Sequence, residues 1–264
     1  MNILTRRQGR LFRILKKFFT VLVIDSFEGI VSRQQFVIGT MAFLFQVPKL
    51  LRINQPRRNS CRGLLLASGM LAIMGGAAFV IDVPVARWFK TGGMPGDVAK
   101  IFYLAEVMAH GVGVLGVIVT ILVLDTSTRK NALRIVCVAF AGGLASNLIK
   151  LMVLRVRPRA IDFSQTDSIW QTFVNTHNLH GSDIASFPSG HAATAAGIAA
   201  FLVSQYPRGR VWFLILCTIA SLQRLVSSAH YPSDILLGSS LGFLFAAVVS
   251  LCWPLQELQT STSR

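Results

Sequence analysis

Three short stretches gather residues able to handle an anion. The first is Lys150-Leu-Met-Val-Leu-Arg-Val-Arg157-Pro158, at the end of an apolar run. A spacing of seven is close to two helical turns, so Lys150 and Arg157 share a face if the run is helical. Pro158 disfavours helical geometry at Arg157 and ends the helix there. Two cations at such a helix end either bind something anionic or snorkel to a membrane interface. The second stretch is Phe187-Pro188-Ser189-Gly190-His191, which opens another apolar run. Pro188 suits a helix start, and the first N–H groups of a helix have no helical acceptor. They form an anion site with His191 beside it, or an ordinary N-cap with an incidental histidine. The third is Arg224-Leu-Val-Ser-Ser-Ala-His230-Tyr-Pro-Ser-Asp234. Pro232 marks a helix start, which puts His230 just before the helix and Asp234 in its first turn. There Asp234 either holds one imidazole nitrogen and raises the basicity of the other, or serves as a helix-start acid.

Together the stretches supply two histidines, one carboxylate, three cations in the motif positions (Lys150, Arg157 and Arg224) and a helix N-terminus. Cations and N–H groups suit a phosphate, and two histidines suit nucleophilic attack and leaving-group protonation. No Asp/Glu cluster is visible to hold Mg²⁺ or Zn²⁺, so neither a metal nor another cofactor is expected. The cations would then stabilise the transition state themselves.

The elements that must position these groups are apolar. Hydrophobic residues make up 53% of the 264 and charged residues 14%, against about 25% charged in an average soluble domain. That excludes disorder, collagen-like repeats and an ordinary soluble globule. The formal charge is +15. In a soluble chain this would point to nucleic acid; in one so apolar it points to a membrane protein with basic cytoplasmic segments and no nucleic-acid partner. A bilayer core needs about 20 apolar residues per helix. Six runs qualify, at 64–81, 107–124, 133–153, 190–205, 211–228 and 235–253. Residues 36–47 are shorter and read as an interfacial or re-entrant helix, with a seventh span as the alternative. A cytoplasmic N-terminus places all but eight of the 26 Lys and Arg inside. The eight outer ones are Arg87, Lys90, Lys100, Lys150, Arg155, Arg157, Arg159 and Arg224. N-in, C-in is therefore expected, and all three stretches map to outer helix ends.

The N-terminal MNILTRRQGRLFRILKKFFT is interrupted by Arg13, Lys16 and Lys17 and lacks an A-x-A cleavage site, so it is not read as a signal peptide. It reads as a basic amphipathic helix on the anionic inner leaflet, or as a solvated basic tail. Cys61, Cys137, Cys217 and Cys252 have no paired spacing and read as thiols rather than as a disulfide framework or zinc site. Residues 155–187, on the outer side, are too long for a structureless connection. They are expected to be functional or locally folded, with a short helix over 168–174. Trp170, His177 and His180 there either contact a head group or sit at a wet interface.

Lys150-x6-Arg157-Pro158, then Pro188-Ser189-Gly190-His191, then Arg224-x5-His230-x3-Asp234, resembles the three-part signature of the type 2 phosphatidic acid phosphatase (PAP2) family. The resemblance covers residues 64–253. It implies an all-α, six-transmembrane-helix bundle of PAP2/haloperoxidase type, with an N-terminal amphipathic or interfacial helical region. It also implies a metal-independent phosphatase acting on lipid phosphates at the outer interface. On that resemblance His230 is the nucleophile forming a phosphohistidine, Asp234 orients it, and His191 protonates the leaving group and then activates water. Lys150, Arg157, Arg224, Ser189 and the Gly190 N–H hold the phosphate oxygens. The family usually has Ser where this chain has Gln223, from which altered packing rather than lost activity is expected.

Residues 1–63 thus read as a basic cytoplasmic or interfacial region, 64–253 as the phosphatase domain and 254–264 as a short cytoplasmic tail. The membrane would be a bacterial inner membrane, with the site on the periplasmic face. Expected substrates are undecaprenyl diphosphate, phosphatidic acid, phosphatidylglycerol phosphate or lipid A phosphate. A lipid phosphotransferase with the same intermediate is the alternative. A vanadate-dependent haloperoxidase is disfavoured by the six apolar spans. A transporter with an anion-binding vestibule is the non-enzymatic alternative.

Overall fold

The computed structural model describes residues 58–166, 168–174 and 181–252. Most of the basic N-terminal region, the 36–47 segment, Asp167, His177, His180 and the 254–264 tail lie outside the described residues.

The chain forms helices α1 (Arg58–Ala78), α2 (Asp82–Lys90), α3 (Gly96–Leu104), α4 (Gly111–Leu124), α5 (Ala132–Met152), α6 (Gln171–Val174), α7 (Gly190–Gln205), α8 (Arg210–Val226) and α9 (Pro232–Cys252). A 3₁₀ turn, Phe79–Ile81, carries α1 into α2. Another, Ala105–Met108, follows α3, and the chain bends by 62° before α4. Among the described residues no strand forms; one isolated parallel bridge joins Arg155 and Ala185. The short helix expected over 168–174 is a single turn, Gln171–Val174.

Among the described residues four segments are long and apolar enough to cross a membrane: Cys61–Lys90, Ala132–Met152, Pro207–Val226 and Pro232–Cys252. The bent pair Gly96–Met108 and Gly111–Leu124 makes a fifth if it is one span. The sixth expected run, 190–205, forms α7 but is only 16 residues long. It is the middle of the bundle, with α5, α8 and α9 packed around it. Every residue from Ala192 to Leu202 is buried. Its small side chains permit this, because Ala and Gly let helix backbones approach closely. A Cβ added at Gly197 would meet the Val138 and Ala139 carbonyls of α5, and one at Gly142 would stand 2.7 Å from Gly242 Cα of α9. The outward faces of the other helices carry large exposed apolar side chains, among them Leu66, Ile73, Val119, Leu124, Val211 and Trp212. The protein is a multi-pass integral membrane protein.

The bundle has two polar ends. At one, Asp125 accepts hydrogen bonds from Ser127, Thr128 and Tyr206, tying the α4–α5 turn to the end of α7. The other end gathers all three anion-handling stretches. No disulfide joins the cysteines: Cys61 and Cys217 are buried, and Cys137 and Cys252 half-buried.

Candidate active site

The connection from α5 to α7 is folded onto the bundle end. Helix α5 stops at Met152, and Val153 is extended. The next residues pair with the loop's far half: Arg155 N–H donates to Ile184 O (3.0 Å), Val156 N–H to Thr172 O (2.8 Å), and Arg157 N–H to Asp183 O (2.8 Å). Ser186 N–H returns a bond to Arg155 O (3.0 Å). Helix α2 straps the loop from above. Arg87 Nη2 donates to the Phe163 and Thr166 carbonyls (2.9 and 3.2 Å), and Lys90 Nζ to Ile161 O (2.5 Å).

This corrects one expectation. Lys150 and Arg157 do not share a helical face, because the helix ends five residues before Arg157 and the chain between is extended. Backbone pairing with residues 172 and 183–186 is what replaces the last helical turn. The two cations still meet in space: Lys150 interacts electrostatically with Arg157, Arg224 and Asp234. Its Nζ lies 3.7 Å from where a Cβ on Gly190 would stand.

The second stretch builds the start of α7. Ser189 is the N-cap, its Oγ accepting from Ala192 N–H at 3.4 Å, and its own N–H donates to Asp234 O at 2.9 Å. Gly238 of α9 passes so close that its added Cβ would meet the Ser189 backbone. His191 lies in the first turn of α7, half-buried, with its ring 6.0 Å from that of His110. It interacts electrostatically with Arg224, His230 and Lys150.

The third stretch spans the α8–α9 corner. Arg224 ends α8, His230 lies in the turn and Asp234 in the first turn of α9. Ser228 adopts a positive φ of 49°, and the N–H groups of Ala229 and His230 both return to Arg224 O. His230 is buried, and its Nδ1 lies 3.6 Å from Asp234 Oδ2. That is longer than a hydrogen bond. The Asp234 oxygens instead accept from Arg155 Nη1 (2.5 Å), Ser186 Oγ (2.6 Å) and Tyr231 N–H (3.0 Å). Gln223 is buried and accepts from Arg224 Nη1 at 3.0 Å, which gives the residue in the place of the usual Ser a contact of its own.

Several participants carry no local sequence signal. Arg155, one of the eight outer charges, is fully buried and donates to Thr172, Ser233, Asp234 and Asp82. Its guanidinium lies over the Tyr231, Phe173 and Phe79 rings at 3.9, 4.8 and 5.5 Å. Asp82, a lone acid closing the first apolar run, is the one available signal for this network. Glu106, at the bend before α4, binds Arg224 Nη1 at 2.9 Å. Trp170 is exposed.

Burial pushes the His230 imidazole down to about 4, Asp234 opposing and the nearby Lys150 and Arg157 adding to it. Burial, with Arg159 and Arg224 as like-charged neighbours, pushes the Arg157 guanidinium down to about 10, so it stays charged at neutral pH. Arg157 Nε and Arg224 Nε are buried donors with no hydrogen-bond partner. Buried donors are costly when unmet, and guanidinium N–H groups match phosphate oxygens. Among the described residues no three His, Cys, Asp or Glu side chains are placed to hold a metal ion. The arrangement therefore offers an imidazole, a second imidazole across the site, and a set of cationic donors between them.

Comparison with known proteins places the chain in a family. The model of the PAP2 superfamily matches residues 131–257, which include all three stretches. A lipid A 1-phosphatase of Rhizobium etli is 31% identical over 111 residues, 42% of this chain and 45% of that protein. The chain thus spans less than half the length of that curated relative. The bacitracin transport permease protein BcrC of Bacillus licheniformis is 30% identical over 155 residues, 56% of this chain and 68% of that one. The crystal structure of a transmembrane PAP2-type phosphatidylglycerolphosphate phosphatase from Bacillus subtilis superposes with a TM-score of 0.52 at 22% identity. That match covers 72% of this chain and 94% of the other, and shows a shared fold. With its motifs, its helical order and its relatives in agreement, the chain belongs to the PAP2 superfamily.

Proposed function

We propose that the protein is an integral-membrane, metal-independent lipid phosphate phosphatase working through a phosphohistidine. The observation that carries this is the pair of buried, unpartnered Nε donors of Arg157 and Arg224, in a site shared by Lys150, His191 and His230. The Nδ1 edge of His230 faces Asp234, which leaves Nε2 to attack phosphorus. As the N–P bond forms, the P–O bond to the lipid breaks, and its electron pair leaves on an oxygen protonated by His191. His191 then takes a proton from water, whose oxygen attacks phosphorus and releases His230. Lys150, Arg157, Arg224, Ser189 and the Gly190 N–H hold the phosphoryl oxygens through both steps.

The proposed domain runs from 64 to 253 as six membrane segments, with α7 as the short central one and 155–187 as the outer loop. The basic region 1–63 lies on the anionic inner leaflet of a bacterial inner membrane, both termini are cytoplasmic and the site faces the periplasm. Candidate substrates are lipid A phosphate, undecaprenyl diphosphate, phosphatidic acid and phosphatidylglycerol phosphate. Similarity to the Rhizobium lipid A 1-phosphatase supports lipid A phosphate among them.

The test is phosphate release from that panel by purified protein, with His230→Ala as control. Release by wild type and none by the variant is expected; equal release by both defeats the reading. Radiolabel arriving on a lipid instead of in solution would identify a phosphotransferase. The Bacillus licheniformis relative's name favours a second reading, a transporter with an anion-binding vestibule, in which His230 is dispensable.

A further inference from the structure

The Asp82–Arg155–Asp234 chain joins three parts of the sequence in a place closed to solvent. Arg155 Nη2 lies 2.7 Å from Asp82 Oδ2 and Nη1 lies 2.5 Å from Asp234 Oδ1, with all three side chains fully buried. Asp82 also accepts from the Ser233 N–H at 2.9 Å and from the Ser233 hydroxyl. Asp82 and Asp234 are thus tied through the same guanidinium, and the Ser233 hydroxyl, which accepts from Arg155 Nη1 and donates to Asp82, joins those two a second time. A buried ion chain is a poor stabiliser compared with apolar residues of the same volume. Its effect on its neighbour, His230, is the more telling property.

Arg155 by itself would cancel the charge of Asp234. With a second carboxylate on its other edge, the chain keeps a net negative charge next to the imidazole. We propose that Asp82 is a positioning residue for the reaction: by occupying the far edge of Arg155 it leaves Asp234 uncancelled, free to stabilise the positive charge formed on His230. This rests on His230 being the nucleophile. Four other charged or titratable groups interact with His230 and set the background: Asp234 on α9, Lys150 on α5, Arg157 in the loop and His191 on α7, with the Arg224 side chain on α8 acting on His191. None of them is altered in the test.

The test is the pH dependence of kcat/KM with a soluble short-chain phosphatidic acid in detergent, for wild type, Asp82→Asn, Arg155→Gln and the double variant. The acidic limb reports deprotonation of His230. Removing the Asp82 charge should move it to lower pH by about one unit, and removing the Arg155 charge should move it up by about as much. The double variant has the wild-type net charge, and its limb should return to the wild-type position. Asp82→Asn should also lower kcat about tenfold with KM little changed. A purely structural role would weaken the fold without opposite shifts. Folded single variants with an unmoved limb, or limbs moving the same way, overturn the proposal. If a single variant does not fold, the double variant decides: a wild-type limb supports the idea and a displaced one overturns it. Activity retained by His230→Ala defeats the nucleophile assignment instead.

Discussion

At the scale of residues, His230 and His191 divide the proposed labour, and their variants should fail differently. His230→Ala should abolish turnover and any acid-labile, base-stable phosphoenzyme, because no other side chain replaces the nucleophile. His191→Ala should lower kcat by about 10²–10⁴, the usual contribution of general acid–base catalysis. A leaving group that needs no proton, such as p-nitrophenolate, should recover part of that loss; equal losses on both substrates would remove His191 from the acid role. Burial sets the sign of the pH response at His230. The nucleophile must be neutral, and its pKa is lowered to about 4. Activity should therefore persist below the ordinary histidine value of about 6.5 and fall only as pH approaches the lowered one. A kcat/KM profile that falls at 6.5 would contradict this. His230, His191 and Asp234 were legible as candidates from type and spacing, and the roles proposed for them came from the family resemblance. The 3.6 Å separation of His230 from Asp234 Oδ2 was not legible, because spacing along the chain says nothing of Ser186, whose hydroxyl occupies that oxygen, or of Arg155, which holds the other.

Among the elements, α7 and α9 are held by contacts between backbones. Gly142 faces Gly242, and Gly238 faces Ser189, where an added Cβ would meet main-chain atoms that have nowhere to go. Gly142→Val should therefore destabilise the protein by about 1–3 kcal/mol, read as a lower midpoint of thermal inactivation in detergent with KM unchanged. Gly238→Ala should act differently. It pushes on the residue that caps α7 and would displace the Gly190 N–H, so KM should rise as well. Identical effects of the two variants would show that the α7 N-terminus has no part in binding. The starts of α7 and α9 were legible from Pro188 and Pro232. The end of α5 was not, because its last turn lost to hydrogen bonds with residues 172 and 183–186, partners that local sequence does not reveal.

For the whole molecule, the proposed topology places the tip of the 155–187 loop outside and the α4–α5 turn inside. In a background with its own cysteines replaced, Trp170→Cys should react with an impermeant maleimide on intact spheroplasts, and Arg129→Cys only after permeabilisation. The reverse pattern would invert the proposed orientation. Stabilisation of the phosphoryl group by Lys150, Arg157 and Arg224 further implies that EDTA leaves the activity largely intact. Loss on chelation with rescue by Mg²⁺ would overturn that.

The sequence by itself determined what depends on local order. Apolar runs of helical length, the proline-marked helix starts and the succession of three motifs are properties of neighbouring residues, and they were enough to identify the membrane class and the family and to nominate the groups proposed to handle phosphate. Tertiary structure alone decided which charges meet. Asp82 and Arg155 are 73 positions apart, Arg155 and Asp234 79, and Glu106 and Arg224 118. Glu106 reaches Arg224 from the partly exposed bend before α4, while Asp82, Arg155 and Asp234 meet because α2, the 155–187 loop and α9 converge at one end of the bundle and close it to solvent. In that dry place a charge is tolerable only beside a partner, and the fold, not the spacing, supplies the partner.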